Sequence, residues 1–366
     1  MNERTPRRVL LLHGEAIYFG GAETLLTRIA AAGLGEDIQL TVARVANSPL
    51  ARALPTNATT IDLPANQPFS LRGLRRQLAA LPLGECDVLH AWGARSWELA
   101  ALAGRLADRP VIGTLHDHPA ADYLTPARRR LMRWTARWGL HRVTVVSETL
   151  RAACVAAGWP ADKLVMIRNG LAVPPAPTRT IGNPVCFGFL GALTATKGLP
   201  DLLASVDALA RRAPDGWELH IAGRTQTDAE AKQLRAWQAA WQKCAWWPQV
   251  HWHGWVTAED FLRAVDVLIV PSRAWETFSL AVAEAALHGV PSVAACIGAL
   301  PELVIDGQTG WLFPSGDWDA CASILQGLLA APMRITSAGL IARKQGQDTL
   351  SFSKMLEEYS QALRCA

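Results

Sequence analysis

Short apolar runs recur along the chain, and stretches of helical periodicity separate them. Residues 9–12 (VLLL), 87–92 (DVLHAW), 110–117 (PVIGTLHD) and 142–147 (RVTVVS) have the length and β-branched content of buried strands. The first leads through a glycine loop into a helix over 23–32, the second into a helix near Trp97, the third into a longer helical stretch, and the fourth into a helix over 148–157. Val173-Pro174-Pro175-Ala176-Pro177 is too proline-rich for either element and reads as a stiff connector. The alternation then restarts at 185–191 (VCFGFLG), 218–223 (ELHIAG), 250–255 (VHWHGW) and 266–271 (DVLIVP). Buried strands alternating with helices predict an α/β chain with two Rossmann-like parallel sheets, each covered on both faces. The expected division is a first domain over 1–172, a connector over 173–180 and a second domain over 181–349. Two such domains imply a cleft between them, where ligands usually bind.

The segment after the run at 266–271 carries the most chemistry. Residues 278–288 read as a helix, with Thr277 as N-cap, Gly289 as the stop and Pro291 just beyond. Glu276 then lies in the loop at the helix entrance, and Glu284 sits ~9 Å further along the axis. A helix entrance offers free N–H groups and partial positive charge, which suit a phosphate. The carboxylates on either side accept hydrogen bonds from hydroxyls. One anion cradle between two such acceptors matches a sugar nucleotide. The flat alternative, that Glu284 is an ordinary surface residue, conflicts with its neighbours: Ala281-Val282-Ala283 before it and Ala285-Ala286-Leu287 after it leave little polar face. A carboxylate buried there costs several kcal/mol unless it is paired.

Bulk properties narrow the classes. The 366 residues suffice for two ordinary cores, and half of them are hydrophobic. A net charge of +4 is too weakly basic to imply nucleic acid. The seven cysteines are scattered and include no CxxC, so a disulfide framework or structural zinc site is not expected, and a reducing cytoplasm fits. Arg7-Arg8 before the first apolar run has the start of a signal peptide, but the run stops after four residues at His13-Gly14-Glu15 and reads as a strand. No stretch approaches the ~20 apolar residues of a membrane-spanning helix.

A series of short motifs runs through both halves. Gly20-Gly21-Ala22-Glu23, Asp87-Val88-Leu89-His90, Thr114-Leu115-His116-Asp117, Val146-Ser147 and Asn169-Gly170 occupy the first. Gly191, Lys197-Gly198, residues 250–254, Pro271-Ser272, the two glutamates, Gly289-Val290-Pro291, residues 298–302 and Gly310 occupy the second. In this order they resemble family 4 glycosyltransferases of the GT-B fold, two Rossmann-like domains facing across a cleft. The resemblance extends to Phe352-Ser353 and residues 355–359, similar to a terminal helix (350–366) that returns to the first domain.

The resemblance implies a retaining hexosyltransferase that needs no metal and no cofactor besides its nucleotide-sugar donor. A UDP-sugar is the favoured donor and a GDP-sugar the alternative; the acceptor is a glycan or lipid-linked sugar in surface polysaccharide or glycolipid synthesis. By the same resemblance Lys197 neutralises the diphosphate, and the backbone N–H groups of Phe278, Ser279 and Leu280 hold it. Glu276 binds the transferred sugar, Glu284 the ribose, and His116 lies near the reacting carbon. Gly20 and Gly21 admit the phosphates without a Cβ in the way. One departure is marked: Ala192 stands where the family usually has an arginine beside Lys197. Arg273 or Arg224 is the candidate to supply that charge. The missing arginine also motivates a second reading, a degenerate nucleotide-sugar-binding subunit. A third, a sugar-nucleotide epimerase on the same fold, fits the two glutamates less well.

Other signals have plainer explanations. Asp317-Trp318-Asp319 has the form of a metal-binding DxD but opens a helix over 320–329, where acids stabilise the dipole. His116-Asp117-His118 and His251-Trp252-His253 resemble metal ligands, yet neither has an evident third ligand nearby. Thr125 caps and Pro126 starts a basic helix on which Arg129, Arg130, Arg133 and Arg137 share a face, beside Leu131, Trp134 and Trp138. The ordinary expectation is a solvated arginine face with the tryptophans in the core. The sharper one is peripheral contact with anionic lipid at the inner face of the membrane.

Overall fold

The computed structural model describes residues 6–66, 70–175 and 181–366. Two compact units result, Met1–Gly170 with Phe352–Ala366, and Leu171–Ser351. The connector at 173–180 lies partly outside the described residues; of those within them, Pro174 gives its carbonyl to Arg343 at 2.7 Å.

The first unit is a sheet of β1 (Arg7–His13), β2 (Ile38–Val45), β3 (Thr59–Leu63), β4 (Val88–Trp92), β5 (Val111–Leu115), β6 (Arg142–Val145) and β7 (Leu164–Met166). They lie in the order β3-β2-β1-β4-β5-β6-β7, and every adjacent pair is parallel. Every residue of β4 and β5 is buried, which is why both read as unbroken runs in the sequence. The polar residues among them satisfy one another across strands: His90 Nε2 meets Thr114 Oγ1 at 2.7 Å, and Thr114 Oγ1 meets Thr144 Oγ1 at 2.7 Å. The sequence pattern misses β2 and β3 because Gln39, Thr41 and Arg44, then Thr59, Thr60 and Asp62, interrupt their apolar positions. Arg44 and Asp62 pair across these two strands.

The helix Phe352–Arg364 belongs to this unit for a packing reason. Its Met355, Tyr359 and Leu363 are buried in one core with Val9, Leu11, Leu25, Leu26 and Trp92. Arg7 ties its end by donating to the Arg364 carbonyl at 2.7 Å.

The second unit contains β8 (Val185–Leu190), β9 (Trp217–Ala222), β10 (Val250–Gly254), β11 (Val267–Val270), β12 (Ser292–Ala295) and β13 (Gly310–Phe313). These are also all parallel, in the order β10-β9-β8-β11-β12-β13. Phe187, Phe189, Leu219, Ile221, Val267 and Ile269 fill the core on one face against Leu202, Leu203 and Val206 of the helix Leu199–Arg212. In each unit the chain order reverses beside the first strand, between β1 and β4 and between β8 and β11. At such a reversal the connections pass to opposite faces of the sheet, and the space outside the carboxyl ends of the strands is the usual ligand position in open α/β sheets.

Candidate active site

In the second unit, the loops after β8 and β11 meet at the reversal. Gly198 makes the close approach feasible. Its φ is +77°, and a Cβ there would lie 1.7 Å from the Pro271 carbonyl oxygen. The backbone of the two loops is stitched at Thr196, whose carbonyl accepts from the N–H groups of Arg273 and Ala274, each at 3.0 Å. This fixes Lys197 opposite Glu276: Nζ to Oε1 is 2.7 Å. Ser272 donates its hydroxyl to the same oxygen at 2.6 Å. The Glu276 backbone is held from behind, because Ala299 N–H donates to its carbonyl at 2.8 Å and Gly298 leaves no room for a side chain. Glu276 is buried, whereas the Lys197 side chain is 42% exposed, so an anchored carboxylate presents a cation towards solvent.

The following helix spans Leu280–Leu287, shorter than the 278–288 read from the sequence, and Ser279 rather than Thr277 is its cap. The Ser279 hydroxyl accepts from Val282 N–H, and its polar side chain ends the apolar helical run. Glu284 therefore lies about 6 Å along the axis from the first helical residue, not 9 Å. It is half-buried, with Val282, Ala283, Ala285 and Ala286 buried around it. The N–H groups of Phe278, Ser279 and Leu280 precede or open the helix and have no acceptor within it.

Arg273 takes a different position from the one its sequence neighbourhood suggests. Its Nε and Nη2 grip Asp201 at 2.7 and 2.8 Å, a bidentate pair that uses one edge of the guanidinium. The Asp201 hydrogen bond and charge raise the Arg273 pKa further. A substituent on Gly316 would strike the same guanidinium. Arg273 ties its loop to the first turn of the helix Leu199–Arg212. Arg224, the other candidate, is exposed.

In the first unit the loop after β1 is organised by Glu15. One of its oxygens accepts from the N–H groups of Ala16 and Ile17 at 2.9 Å each, and the other pairs with Arg95, in the loop after β4, at 2.8 Å. Gly14 N–H donates to Ser96 Oγ at 2.8 Å, joining the same two loops. Gly20 caps the helix Gly21–Ala32, and its N–H is held by Glu23 Oε2 at 2.8 Å. Glu23 Oε1 lies 3.0 Å from His13 Nε2. Burial pushes the Glu23 pKa up, but the His13 hydrogen bond and charge outweigh it and hold the carboxyl below its usual range. His116, just after β5, packs against Trp92 with the rings tilted and their centroids 4.8 Å apart. Loss of water lowers its pKa to about 4 despite the pull of Asp117 and Glu23, so the ring is neutral near pH 7. The sequence pointed to Gly20, Gly21 and His116; Glu15, Arg95 and His13 became visible only as their loops converged.

Asp317 caps the helix Trp318–Ala330 by accepting from Ala320 N–H at 2.9 Å. Asp319 pairs with Arg212. On the helix Pro126–Trp138 the buried residues are Met132, Thr135 and Ala136. Trp134 and Trp138 are 61% and 67% exposed, which overturns the expectation that they fill the core. His251 and His253 have companions on β9, Glu218 and His220, that no local pattern discloses. Among the described residues no single helix is long and apolar enough to cross a membrane.

Residues 184–331 match the family model described as glycosyl transferases group 1, and residues 19–173 match glycosyltransferase family 4. A GDP-mannose-dependent alpha-(1-6)-phosphatidylinositol monomannoside mannosyltransferase of Mycolicibacterium smegmatis is 26% identical, over 73% of this chain and 74% of its own. A D-inositol 3-phosphate glycosyltransferase of Xylanimonas cellulosilytica is 29% identical over 83% and 78%. In fold the chain is similar to the Anabaena protein HepE, solved in complex with UDP and glucose, with a TM-score of 0.85, 22% identity and coverage of 98% and 99%.

Proposed function

We infer that this chain, which belongs to glycosyltransferase family 4 and has the GT-B fold, moves a sugar with retention of configuration from a nucleoside diphosphate to a glycan or lipid-linked acceptor. The observation that carries this reading is the Lys197–Glu276 pair at the β8/β11 reversal, beside the entrance of the helix Leu280–Leu287. Negative charge develops on the departing diphosphate as the anomeric carbon becomes oxocarbenium-like. Fixed donors at the phosphates therefore stabilise the transition state more than the ground state. Lys197 and the N–H groups of Phe278, Ser279 and Leu280 are those donors, so the reaction needs no metal. Glu276, held by Ser272 and by its own backbone, accepts from hydroxyls of the transferred sugar, and Glu284 from the ribose. Gly20 and Gly21 of the first unit admit the donor phosphates without a Cβ in the way, and the neutral His116 is the residue near the reacting carbon. UDP is the first donor to test and GDP the second, since the mannosyltransferase relative uses GDP-mannose.

The two glutamates give the test. Glu284→Gln should weaken binding of nucleotide and nucleotide sugar alike and appear mainly as a raised KM, because the ribose contact changes little during reaction. Glu276→Gln should leave free nucleotide binding nearly intact and lower kcat by about ten-fold or more, at about 1.4 kcal/mol per decade. Calorimetry with UDP and GDP and turnover of their sugars decide it. Normal turnover by Glu276→Gln would sink the assignment. Absence of donor hydrolysis in the unaltered chain would favour the degenerate binding subunit that Ala192 suggests.

The exposed tryptophans favour a peripheral position on the cytoplasmic face of an anionic membrane. Arg130, Arg133 and Arg137 are exposed beside Leu131, Trp134 and Trp138, which gives the helix the basic and aromatic surface of an interfacial element.

A further inference from the structure

Five side chains with ligand chemistry gather on one face of the second sheet: Cys186 of β8, Glu218 and His220 of β9, and His251 and His253 of β10. The parallel register produces this. Cys186 is paired with Glu218, and His220 with His251, while the odd-numbered neighbours Phe187, Leu219 and Ile221 point into the core. Ligand atoms of Cys186, Glu218 and His220 all lie within 4.8 Å of one another. Glu218 Oε2 stands 3.3 Å from His220 Nε2 and 3.5 Å from His251 Nε2. Neither nitrogen forms an aligned hydrogen bond there, although both atoms are shielded from solvent. Bonds of about 2.0–2.3 Å to a tetrahedral ion separate its ligands by roughly 3.3–3.7 Å; the distances from Glu218 to the two histidines fall in that range, and Cys186 lies within 4.8 Å of Glu218 and His220. Behind the cluster His253 Nε2 lies 2.9 Å from His220 Nδ1, the outer partner that fixes the tautomer of a ligating histidine.

We propose that Cys186, Glu218, His220 and His251 bind one zinc ion, with His253 orienting His220. A thiolate, two imidazoles and a carboxylate select zinc over magnesium or calcium, which prefer all-oxygen shells. The site is structural. Cys186 stands five positions before Gly191, about 16 Å along the strand from the loop that carries Lys197. An ion held there staples the edge strand β10 to β9 and β8. Ligation displaces the Cys186 thiol proton, so affinity falls as pH falls.

The experiment uses the full chain, stripped with a chelator and titrated with zinc, with cobalt as the spectroscopic stand-in. One equivalent of zinc should bind per chain and raise the melting temperature, and the cobalt form should show a thiolate-to-metal charge-transfer band. Cys186→Ser should abolish that band, and His251→Asn should weaken zinc by about ten-fold or more; both should melt like the unaltered chain when no metal is present. The exposed His253→Ala should weaken zinc by about 10- to 100-fold. Cys296→Ser, an exposed cysteine outside the cluster, should change nothing. A cobalt spectrum without the thiolate band, or equal zinc affinity in all four variants, would overturn the proposal. Donor turnover should be the same with and without zinc, which separates this site from the sugar chemistry.

Discussion

At the scale of single residues, partners decide roles. Lys197 and Arg273 are both basic residues in the loops beside the entrance of the helix Leu280–Leu287, but their surroundings separate them. Lys197 reaches a buried carboxylate while remaining open to solvent; Arg273 has one edge taken by Asp201. That pair is half-exposed and screened on the arginine side, so its contribution to stability is about 0.5–1 kcal/mol. Arg273→Ala should therefore lower the melting temperature slightly and weaken nucleoside and nucleoside diphosphate binding to the same small extent. A selective loss of diphosphate affinity would instead return Arg273 to the phosphate clamp, in place of the arginine that Ala192 replaces. Glu276 shows the same principle from the other side. Its carboxylate is tolerable in a buried place because Lys197 and Ser272 meet it.

Among elements, the basic helix Pro126–Trp138 shows how amphipathicity can be read correctly in spacing yet wrongly in direction. The arginines share a face as expected, but the small residues Thr135 and Ala136 face inward with Met132, leaving both large tryptophans outside. Exposed tryptophans beside arginines favour an anionic bilayer interface. Arg130→Glu combined with Arg133→Glu should reduce co-sedimentation with vesicles containing phosphatidylserine, and the difference from the unaltered chain should shrink as salt screens the charges. Equal sedimentation of the two proteins at low salt would leave this helix as a solvated surface.

On the scale of the whole molecule, buried histidines couple stability to pH. His90 is pushed down to about 3, first by burial and then by the nearby His116, which is itself lowered to about 4. In the unfolded chain both titrate near 6.5. Between those values the unfolded state binds protons that the folded state refuses, so stability is full above about pH 6.5 and declines as pH falls towards 4. The decline should begin above the range in which carboxylates titrate. Urea midpoints measured from pH 7 to 4.5 should fall, and His90→Asn should flatten part of the slope. A midpoint constant over that interval would contradict the burial of neutral imidazoles.

The apolar runs at 9–12, 87–92, 185–191 and 266–271 disclosed a parallel α/β chain because strands buried on both faces carry that information locally. The motifs from Gly20 to Gly310 disclosed its family in the same way. Strand order was not local, and neither was anything that depends on it. Lys197 finds Glu276 across 79 residues, Arg273 finds Asp201 across 72, and Arg128 finds Glu98 across 30. His251-Trp252-His253 looked solitary because its companions stand on neighbouring strands, joined by register rather than sequence. Periodicity reports which way a side chain points within its own element. What it meets there is set by the packing of strands and loops that are distant in the chain, and only the tertiary structure supplies that.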